Sequence, residues 1–292
     1  MNNSAFLPSA AYRLYDRYCH GEIDRRAFFD GLGRVAGGAA AASAMAAALL
    51  PNYALAQQVK PDDPRIRTER FSYDSPDGAG KMQGLLARPK EVIEVPAVLV
   101  VHENRGLNPY VEDVARRLAL EGYVALAPDA LFPLGGYPGN DDDGRAMQRE
   151  RDRAEMVADF RAGALAVRGH EQSTGKLGAV GFCFGGYVVN ELAVTMPELD
   201  AAVPYYGGWP EASQAEDLSA ALMVQLAGLD DRVNAGWPPY EEALLEAGKS
   251  YSAHIYEGVN HGFHNDSTSR YDEEAAELSW ERTLAFFKEQ LS

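Results

Sequence analysis

The chain has little cysteine and little positive charge, and it lacks the common nucleotide-binding motifs. Only two of its 292 residues are cysteines, which excludes a small fold held together by several disulfides. It carries 27 lysines and arginines against 43 acidic residues, a formal net charge of −16, and such a surface repels a phosphate backbone. Neither G-x-G-x-x-G nor G-x-x-x-x-G-K-S/T occurs. We therefore expect no nucleic-acid partner and no nucleotide cofactor.

What is present is the composition of a folded protein, with 46% apolar and 24% charged residues. From Thr68 onward, short β-branched runs alternate with helical patterns, which predicts an α/β fold with a mostly parallel sheet. We expect one domain over residues 57–292, preceded by a separate segment of residues 1–56. The predicted strands are Glu69–Tyr73 and Lys81–Ala87, paired as an edge hairpin, then Val95–Val101, Tyr123–Pro128, Lys176–Gly181, Ala201–Tyr206, Ala221–Leu226 and Tyr251–Tyr256. The predicted helices are Tyr110–Glu121, Arg145–Val167, Tyr187–Thr195 and Glu273–Leu291, with a loop at residues 133–144.

The N-terminal segment has the pattern of an export signal. Twin arginines, Arg25 and Arg26, precede an uncharged, alanine-rich run, and Ala54-Leu55-Ala56 follows it. This order predicts a twin-arginine signal cleaved before Gln57, and hence a periplasmic or exported protein. The uncharged run, at residues 35–50, is shorter than the roughly 20 residues of a membrane span, so we expect no stable span.

The alternative for this segment is a retained helical arm on a cytoplasmic protein. Residues 6–26 have the spacing of an amphipathic helical hairpin that could dock on the domain. We expect neither alternative to affect the catalytic residues.

The strongest local motif is Gly181-Phe182-Cys183-Phe184-Gly185-Gly186, between a predicted strand and a predicted helix. It has the spacing of a nucleophile elbow with cysteine in place of serine. Glycines two residues either side of the nucleophile let the strand and helix approach closely. The turn directs the backbone N–H of Phe184 toward the reacting carbonyl, where a helix N-terminus favours a thiolate and an oxyanion. Cys183 is therefore the predicted nucleophile, and the alternative is a buried inert thiol.

Partner residues follow in the order nucleophile, acid, histidine, each after a predicted strand. Asp230 lies in a loop that leaves the sheet, and the G-x-D-x-x-V spacing selects it over Asp231. His261 lies in the glycine-flanked loop after the last strand. His261 and His264 are spaced H-x-x-H, but no third ligand has a matching pattern, so we expect no metal.

The elbow with cysteine, G-x-D-x-x-V and His261-Gly262-Phe263 together resemble the dienelactone hydrolase (carboxymethylenebutenolidase) family of α/β-hydrolases. The segment from Val101 to Asn108 is similar to that family's strand end bearing a glutamate, and the resemblance covers about residues 69–291. It implies an α/β-hydrolase fold without a cofactor, and hydrolysis of an ester or enol-lactone through an acyl-cysteine. The glutamate that would hold the thiol protonated until substrate binds is Glu103, and the second oxyanion donor is the backbone N–H of Asn104.

One difference from the family concerns the arginines that hold a substrate carboxylate. Where the family has them, this chain has Ala130-Leu131-Phe132 and His264-Asn265. Positive charge could come instead from Arg105, His102 or His264.

We therefore predict a hydrolase of a carboxylic ester or lactone, with Cys183 as nucleophile, His261 as base and Asp230 as its orienting acid. Its partner would be a small-molecule substrate, and no sequence feature specifies an oligomeric state. Two alternatives stay open. The protein could be a catalytically silent member of the fold that binds a ligand, or a thioesterase or peptidase that uses the same triad.

Overall fold

One eight-stranded sheet organises the molecule, as seen in a computed structural model that describes residues 7–54, 57–91 and 94–292. The strand order is β1-β2-β4-β3-β5-β6-β7-β8. The pairs β1 with β2 and β2 with β4 are antiparallel, and all the other pairs are parallel. The strands are β1 Ile66–Ser75, β2 Gly80–Pro89, β3 Val95–Val101, β4 Val124–Pro128, β5 Ser173–Phe182, β6 Ala201–Tyr205, β7 Ala221–Ala227 and β8 Tyr251–Tyr256.

Helices cover both faces of the sheet, which explains why the central strands are near-continuous apolar runs. On one face, α4 and α10 pack against the sheet, and on the other α6, α7 and α9 do. The helices are α1 Ser9–Cys19, α2 Arg25–Ala36, α3 Ala39–Leu49, α4 Pro109–Leu120, α5 Asp141–Glu150, α6 Arg153–Arg168, α7 Phe184–Thr195, α8 Asp231–Asn234, α9 Trp237–Glu246 and α10 Glu273–Gln290. Short 3₁₀ turns lie at Phe132–Leu134 and Ala212–Asp217.

The predicted α/β architecture is confirmed, and the predicted strands all form. The edge hairpin is longer than expected because β1 and β2 stay paired along all ten residues of each strand. The buried strand β3 and the last strand β8 have the predicted bounds.

The prediction for residues 133–168 is wrong in two respects. The loop expected to reach Gly144 ends earlier, since α5 begins at Asp141, where aspartates in the first turn stabilise a helix N-terminus. The single helix expected over Arg145–Val167 is two helices, because Asp152 accepts a hydrogen bond from the Glu155 backbone and starts α6 anew. Helix α9, which carries two prolines in its first turn, was not predicted.

Residues 7–54 form what we call the N-terminal arm, with helices α1, α2 and α3 around a small apolar core of their own. It docks at the carboxyl ends of the parallel strands, where the backbone N–H of Asn52 donates to the Ser267 carbonyl at 2.7 Å. The expected cleavage motif at residues 54–56 lies partly outside the described residues. No single described helix has the length and apolarity to cross a membrane, and α2 with α3 passes that test only as a pair bent by 113°.

Candidate active site

Cys183 lies at the sharp turn between β5 and α7, at the carboxyl end of the sheet. Its φ of 57° and ψ of −112° lie in a region that side chains rarely adopt. A Cβ at Gly181 would overlap the Gly185 carbonyl, and one at Gly185 would overlap the Val101 carbonyl. The close approach of strand, turn and helix therefore needs both glycines, and the turn has the geometry of a nucleophile elbow.

Asp230 and His261 meet beside this turn, each in the loop that follows its strand. Oδ2 of Asp230 lies 2.5 Å from Nδ1 of His261, and both side chains are buried. Oδ1 of Asp230 accepts the Val233 N–H at 3.2 Å, so the carboxylate is held at both oxygens. The neighbouring Asp231 is exposed and begins α8. Of the two aspartates, the structure therefore places Asp230 on the histidine.

The electrostatics of this group favour a thiolate and a charged imidazole. Burial opposes the thiolate, but the charges of His261 and His20 outweigh it and lower the pKa of Cys183 to about 5. Burial likewise opposes the imidazolium, but Asp230 and Cys183 raise the pKa of His261 to about 9. The pKa of Asp230 is lowered because the His261 charge overcomes the cost of burial. Near neutral pH the group therefore rests as a thiolate and an imidazolium.

The thiol also contacts a residue that sequence reasoning did not connect with it. Nε2 of His20, at the end of helix α1 in the N-terminal arm, lies 3.4 Å from Sγ of Cys183. The rings of His20 and His261 are 5.0 Å apart, edge to face. The expectation that the N-terminal segment would not affect the catalytic residues is therefore wrong.

Acidic and basic groups surround His20 on its outer side. Its Nδ1 lies 2.8 Å from the Asp16 carbonyl and 3.4 Å from the Asp16 carboxylate. Arg232 approaches Nε2 of His20 to 3.0 Å and Nδ1 of His261 to 3.5 Å. Burial opposes a charged His20, but Cys183 and Asp16 raise its pKa to about 11.

The two residues expected to donate backbone N–H groups flank the thiol. Phe184 is the first residue of α7, where an N–H has no partner within the helix. Asn104 lines the same cavity as Cys183, and its side chain donates to the Cys19 carbonyl at 2.7 Å. The structure thus brings both residues to the cavity, with Asn104 joined to the arm.

Glu103 is fully buried just beyond β3, and its contacts are with other residues than the thiol. Nδ2 of Asn265 donates to its Oε2 at 2.8 Å, and Arg105 lies 3.4 Å from the same oxygen. The other carboxylate oxygen makes no hydrogen bond within the described part of the chain. The thiol-tuning role of Glu103 stays a prediction.

The three alternative sources of positive charge point elsewhere. Arg105 is buried and pairs with Asp141 at 2.7 Å. Nε2 of His102 accepts the Ala130 N–H at 3.0 Å. His264 contacts the Tyr110 hydroxyl at 2.7 Å, and burial lowers its pKa well below the ordinary value. These three side chains therefore make contacts with other buried residues around the site.

A cavity of about 400 Å³ opens in front of Cys183 and is lined by arginines, of which Arg145 is paired with Asp142. Among the described residues that line it there are five arginines and no acidic residue. Arg153 lies over the Tyr187 ring at 4.7 Å, and Arg151 pairs with acids outside the cavity. The lining residues are Cys19, His20, Asn104, Arg145, Gln148, Arg149, Arg151, Arg153, Met156, Cys183, Phe184, Tyr187, Tyr206, Gly208 and Arg232.

By distance, this group could hold a metal ion. The sulfur of Cys183 and one ligand atom each from His20 and His261 lie within 4.8 Å of one another. The Arg232 guanidinium contacts both rings, however, and its positive charge opposes a bound cation. We therefore interpret the three residues as proton-transfer groups.

Comparison with known proteins identifies the family of this chain. The profile described as the dienelactone hydrolase family matches residues 82–291, more than half of the chain. The chain belongs to the dienelactone hydrolase family. A candidate carboxymethylenebutenolidase from Saccharolobus solfataricus is 30% identical to it over 258 residues, covering 74% of this chain and 96% of that protein. The fold is accordingly that of the α/β-hydrolases, and the resemblance stated from the motifs is confirmed.

Three further similarities were found for this dienelactone hydrolase family member. A crystal structure of a candidate dienelactone hydrolase from Klebsiella pneumoniae superposes with a TM-score of 0.67 at 29% identity, over 76% of this chain and 98% of that one. A candidate hydrolase fragment of Escherichia coli strain K12, YghX, is 59% identical over 105 residues, 36% of this chain and 90% of the fragment. A separate profile, described as YqhI-like, matches residues 3–37.

Three features of the site were missed from the sequence. His20 comes from the arm, four of the cavity arginines come from the α5–α6 region, whose helices were misplaced, and Arg232 comes from α8. Tyr206 lines the cavity with its ring 4.8 Å from that of His261, and burial raises its pKa well above the ordinary value. Its position as the last residue of a predicted strand was the available signal, because ligands bind at strand ends in such sheets.

Proposed function

We propose that this protein hydrolyses a small carboxylic ester or lactone through an acyl-cysteine intermediate. The observation that carries the proposal is the Cys183 elbow beside the Asp230–His261 pair, open to the arginine-lined cavity. Membership of a hydrolase family that acts on small molecules supports the same class of reaction.

In the first half-reaction the Cys183 thiolate attacks the carbonyl carbon and an S–C bond forms. The oxyanion develops opposite the N–H groups of Phe184 and Asn104. The C–O bond to the leaving group then breaks, and His261 gives its proton to the departing oxygen.

In the second half-reaction water attacks the acyl-cysteine. His261, now neutral, accepts a proton from the water while its Nδ1 stays on Asp230. The C–S bond breaks, the carboxylic acid leaves, and the thiolate returns.

The cavity supports a substrate that carries an anionic group remote from the scissile bond. The family's carboxylate-binding arginines are replaced in this chain, and five arginines from other positions line the cavity instead. Guanidinium groups match carboxylates geometrically, and such charge-assisted bonds exceed neutral ones in strength.

The first test uses p-nitrophenyl esters and intact-protein mass spectrometry. We expect a transient acyl adduct on Cys183 and loss of turnover in Cys183→Ala, which removes the nucleophile and little volume. Cys19→Ala, which removes the other cysteine, is expected to keep the adduct. Undiminished turnover in Cys183→Ala would refute the mechanism.

The same assay separates the alternatives. No turnover of any ester, with ligand binding retained, indicates a silent binding protein. Faster turnover of acyl thioesters or peptides than of oxygen esters indicates the thioesterase or peptidase alternative.

The second test concerns substrate charge. Arg153→Gln is expected to raise KM about tenfold for an ester bearing a carboxylate, the size of one charge-assisted hydrogen bond, with little change for a neutral ester. Arg161→Gln, on the same helix but outside the cavity, is the matched control. Equal effects on both esters would argue against an anionic substrate.

A further inference from the structure

The contact between His20 and Cys183 joins the N-terminal arm to the reacting sulfur. Nε2 of His20 lies 3.4 Å from Sγ, while Nε2 of His261 is buried and makes no hydrogen bond within the described chain. We propose that His20 is a catalytic residue, a second imidazole that holds the proton given up by the Cys183 thiol and so keeps the sulfur as a thiolate. The inference rests on the proposed acyl-cysteine function and extends its machinery to the arm.

The local structure of the arm prepares His20 to hold a proton. The residue caps the C-terminus of α1, where the helix dipole favours a positive charge. Its Nδ1 faces the carbonyl and carboxylate of Asp16, one turn back on the same helix. This arrangement repeats, on a different element, the contact that Asp230 makes with His261.

Contacts independent of His20 hold the arm in register. Arg270 lies 3.5 Å from Asp16 and stacks over the Tyr15 ring at 4.9 Å. Arg145 stacks over the Tyr18 ring at 4.9 Å. The ring of His20 is therefore positioned by both the arm and the domain.

The arm forms a wall of the cavity and leaves it open. Cys19 and His20 line the cavity together with Cys183 and Phe184, and about 400 Å³ remains in front of the sulfur. A small substrate can therefore reach the thiolate while His20 stays in place. This geometry favours a catalytic role for the arm over an inhibitory role in which the arm would have to move away before substrate binds.

The proton transfer balances without a further reactant. The S–H bond of Cys183 breaks, the proton moves to Nε2 of His20, and the electron pair stays on sulfur as the thiolate. This transfer forms the resting ion pair. When the leaving oxygen departs, an imidazolium of the pair gives it a proton, and the same imidazole takes a proton back from the water that attacks the acyl-cysteine. The cycle therefore ends with the thiolate and both imidazoliums restored.

His20 and His261 act on the sulfur directly. The other titratable and charged groups around them are Asp16 of the arm, Asp230 and Arg232 after β7, Arg270 after β8, and Tyr206 after β6. Glu103, after β3, acts on Tyr206. The test must therefore change one imidazole at a time.

The experiment measures iodoacetamide alkylation of Cys183 against pH in the full chain, in a Cys19→Ala background and with EDTA present. Wild type is expected to react with a midpoint near pH 5. His20→Gln should raise the midpoint by about 2 pH units, which slows alkylation at pH 6 about tenfold. His261→Gln should raise it separately, and the double variant should approach an ordinary thiol.

Ester turnover is measured on the same variants. His20→Gln is expected to lower kcat about 100-fold, the lower range for a general acid or base. Asp16→Asn should shift the alkylation midpoint in the same direction by a smaller amount. His254→Gln, a histidine on β8 away from the cavity, should leave both readouts unchanged.

Protease resistance of the arm shows whether a variant stays docked. An unchanged midpoint in a docked His20→Gln chain overturns the proposal, and so does faster turnover, which would make the arm an inhibitory cover. Because alkylation needs no substrate, a shifted midpoint without ester turnover supports the role of His20 on the thiol and refutes the proposed function alone.

Discussion

The two histidines beside Cys183 are held in unequal ways. His261 belongs to a loop of the domain, its side chain is 5% exposed, and Asp230 contacts it at 2.5 Å. His20 belongs to the arm, its side chain is 16% exposed, and its nearest partner is the Asp16 carbonyl at 2.8 Å, with the carboxylate farther away.

The comparison distinguishes His261, which the domain holds, from His20, which the arm holds. The loop of His261 is part of the main fold, and moving it would disrupt the sheet end. The arm has its own apolar core and touches the domain through stacked arginines and hydrogen bonds. His261 thus defines the site, and His20 makes it depend on the arm.

The largest effect is expected when the contact between Asp230 and His261 is broken. Asp230→Asn should lower kcat by about 10⁴-fold, because the histidine loses its orienting charge. Asp231→Asn, which changes the exposed neighbour, should have little effect. Steady-state kinetics on the two variants compare them directly, and a larger loss at Asp231 would reverse the assignment.

The pH profile sharpens the comparison with a smaller effect. Below about pH 5 the Cys183 thiolate takes a proton, and above about pH 9 the His261 imidazolium loses one. We expect kcat/KM to fall about tenfold per pH unit outside this window and to be flat within it. A single rise near pH 9, the ordinary range of a thiol, would contradict the resting ion pair.

A still smaller effect is expected from Glu103, the buried acid of the domain. Glu103→Gln removes the charge that is predicted to tune the thiol, while the amide can still accept from Asn265. Alkylation of Cys183 measured at about pH 4, where most of the thiol is protonated, should speed up about threefold, the size of a partly screened interaction, and turnover should fall. If neither rate changes, Glu103 has no part in tuning the thiol.

The last prediction tests whether the arm stays on the chain, without a change of rate. If residues 24–56 act as an export signal, protein from the cell envelope should begin at Gln57. The double variant Arg25→Lys, Arg26→Lys should then stay in the cytoplasm. Such a processed chain would lack His20. Mass spectrometry of an intact N-terminus in the soluble fraction would support the retained arm.

The domain site could be predicted because its signals are local. Glycines spaced around Cys183, the loop at Asp230 and the loop at His261 each follow a strand, and parallel strands bring their carboxyl ends to one edge. The choice between adjacent aspartates also followed from spacing.

His20 could not be predicted, since it lies 163 residues before Cys183 and has no motif of its own. The twin arginines and alanine-rich run of the arm also have the pattern of an export signal, which predicts cleavage rather than docking. The cavity arginines were missed for another reason. Four of them lie at residues 145–153, within the single helix that was predicted, and only the break into α5 and α6 fixes where this segment lies in the fold.

The contrast between a protein of net charge −16 and a cavity lined by five arginines bears on the kinetics of encounter. At a distance, an anionic substrate meets a repelling surface, and only within a few ångströms does it meet attracting guanidinium groups. Salt at about 0.1 M screens charges beyond roughly 10 Å and weakens close, partly buried pairs less. Association of an anionic substrate should therefore speed up with moderate ionic strength, the reverse of ordinary electrostatic steering.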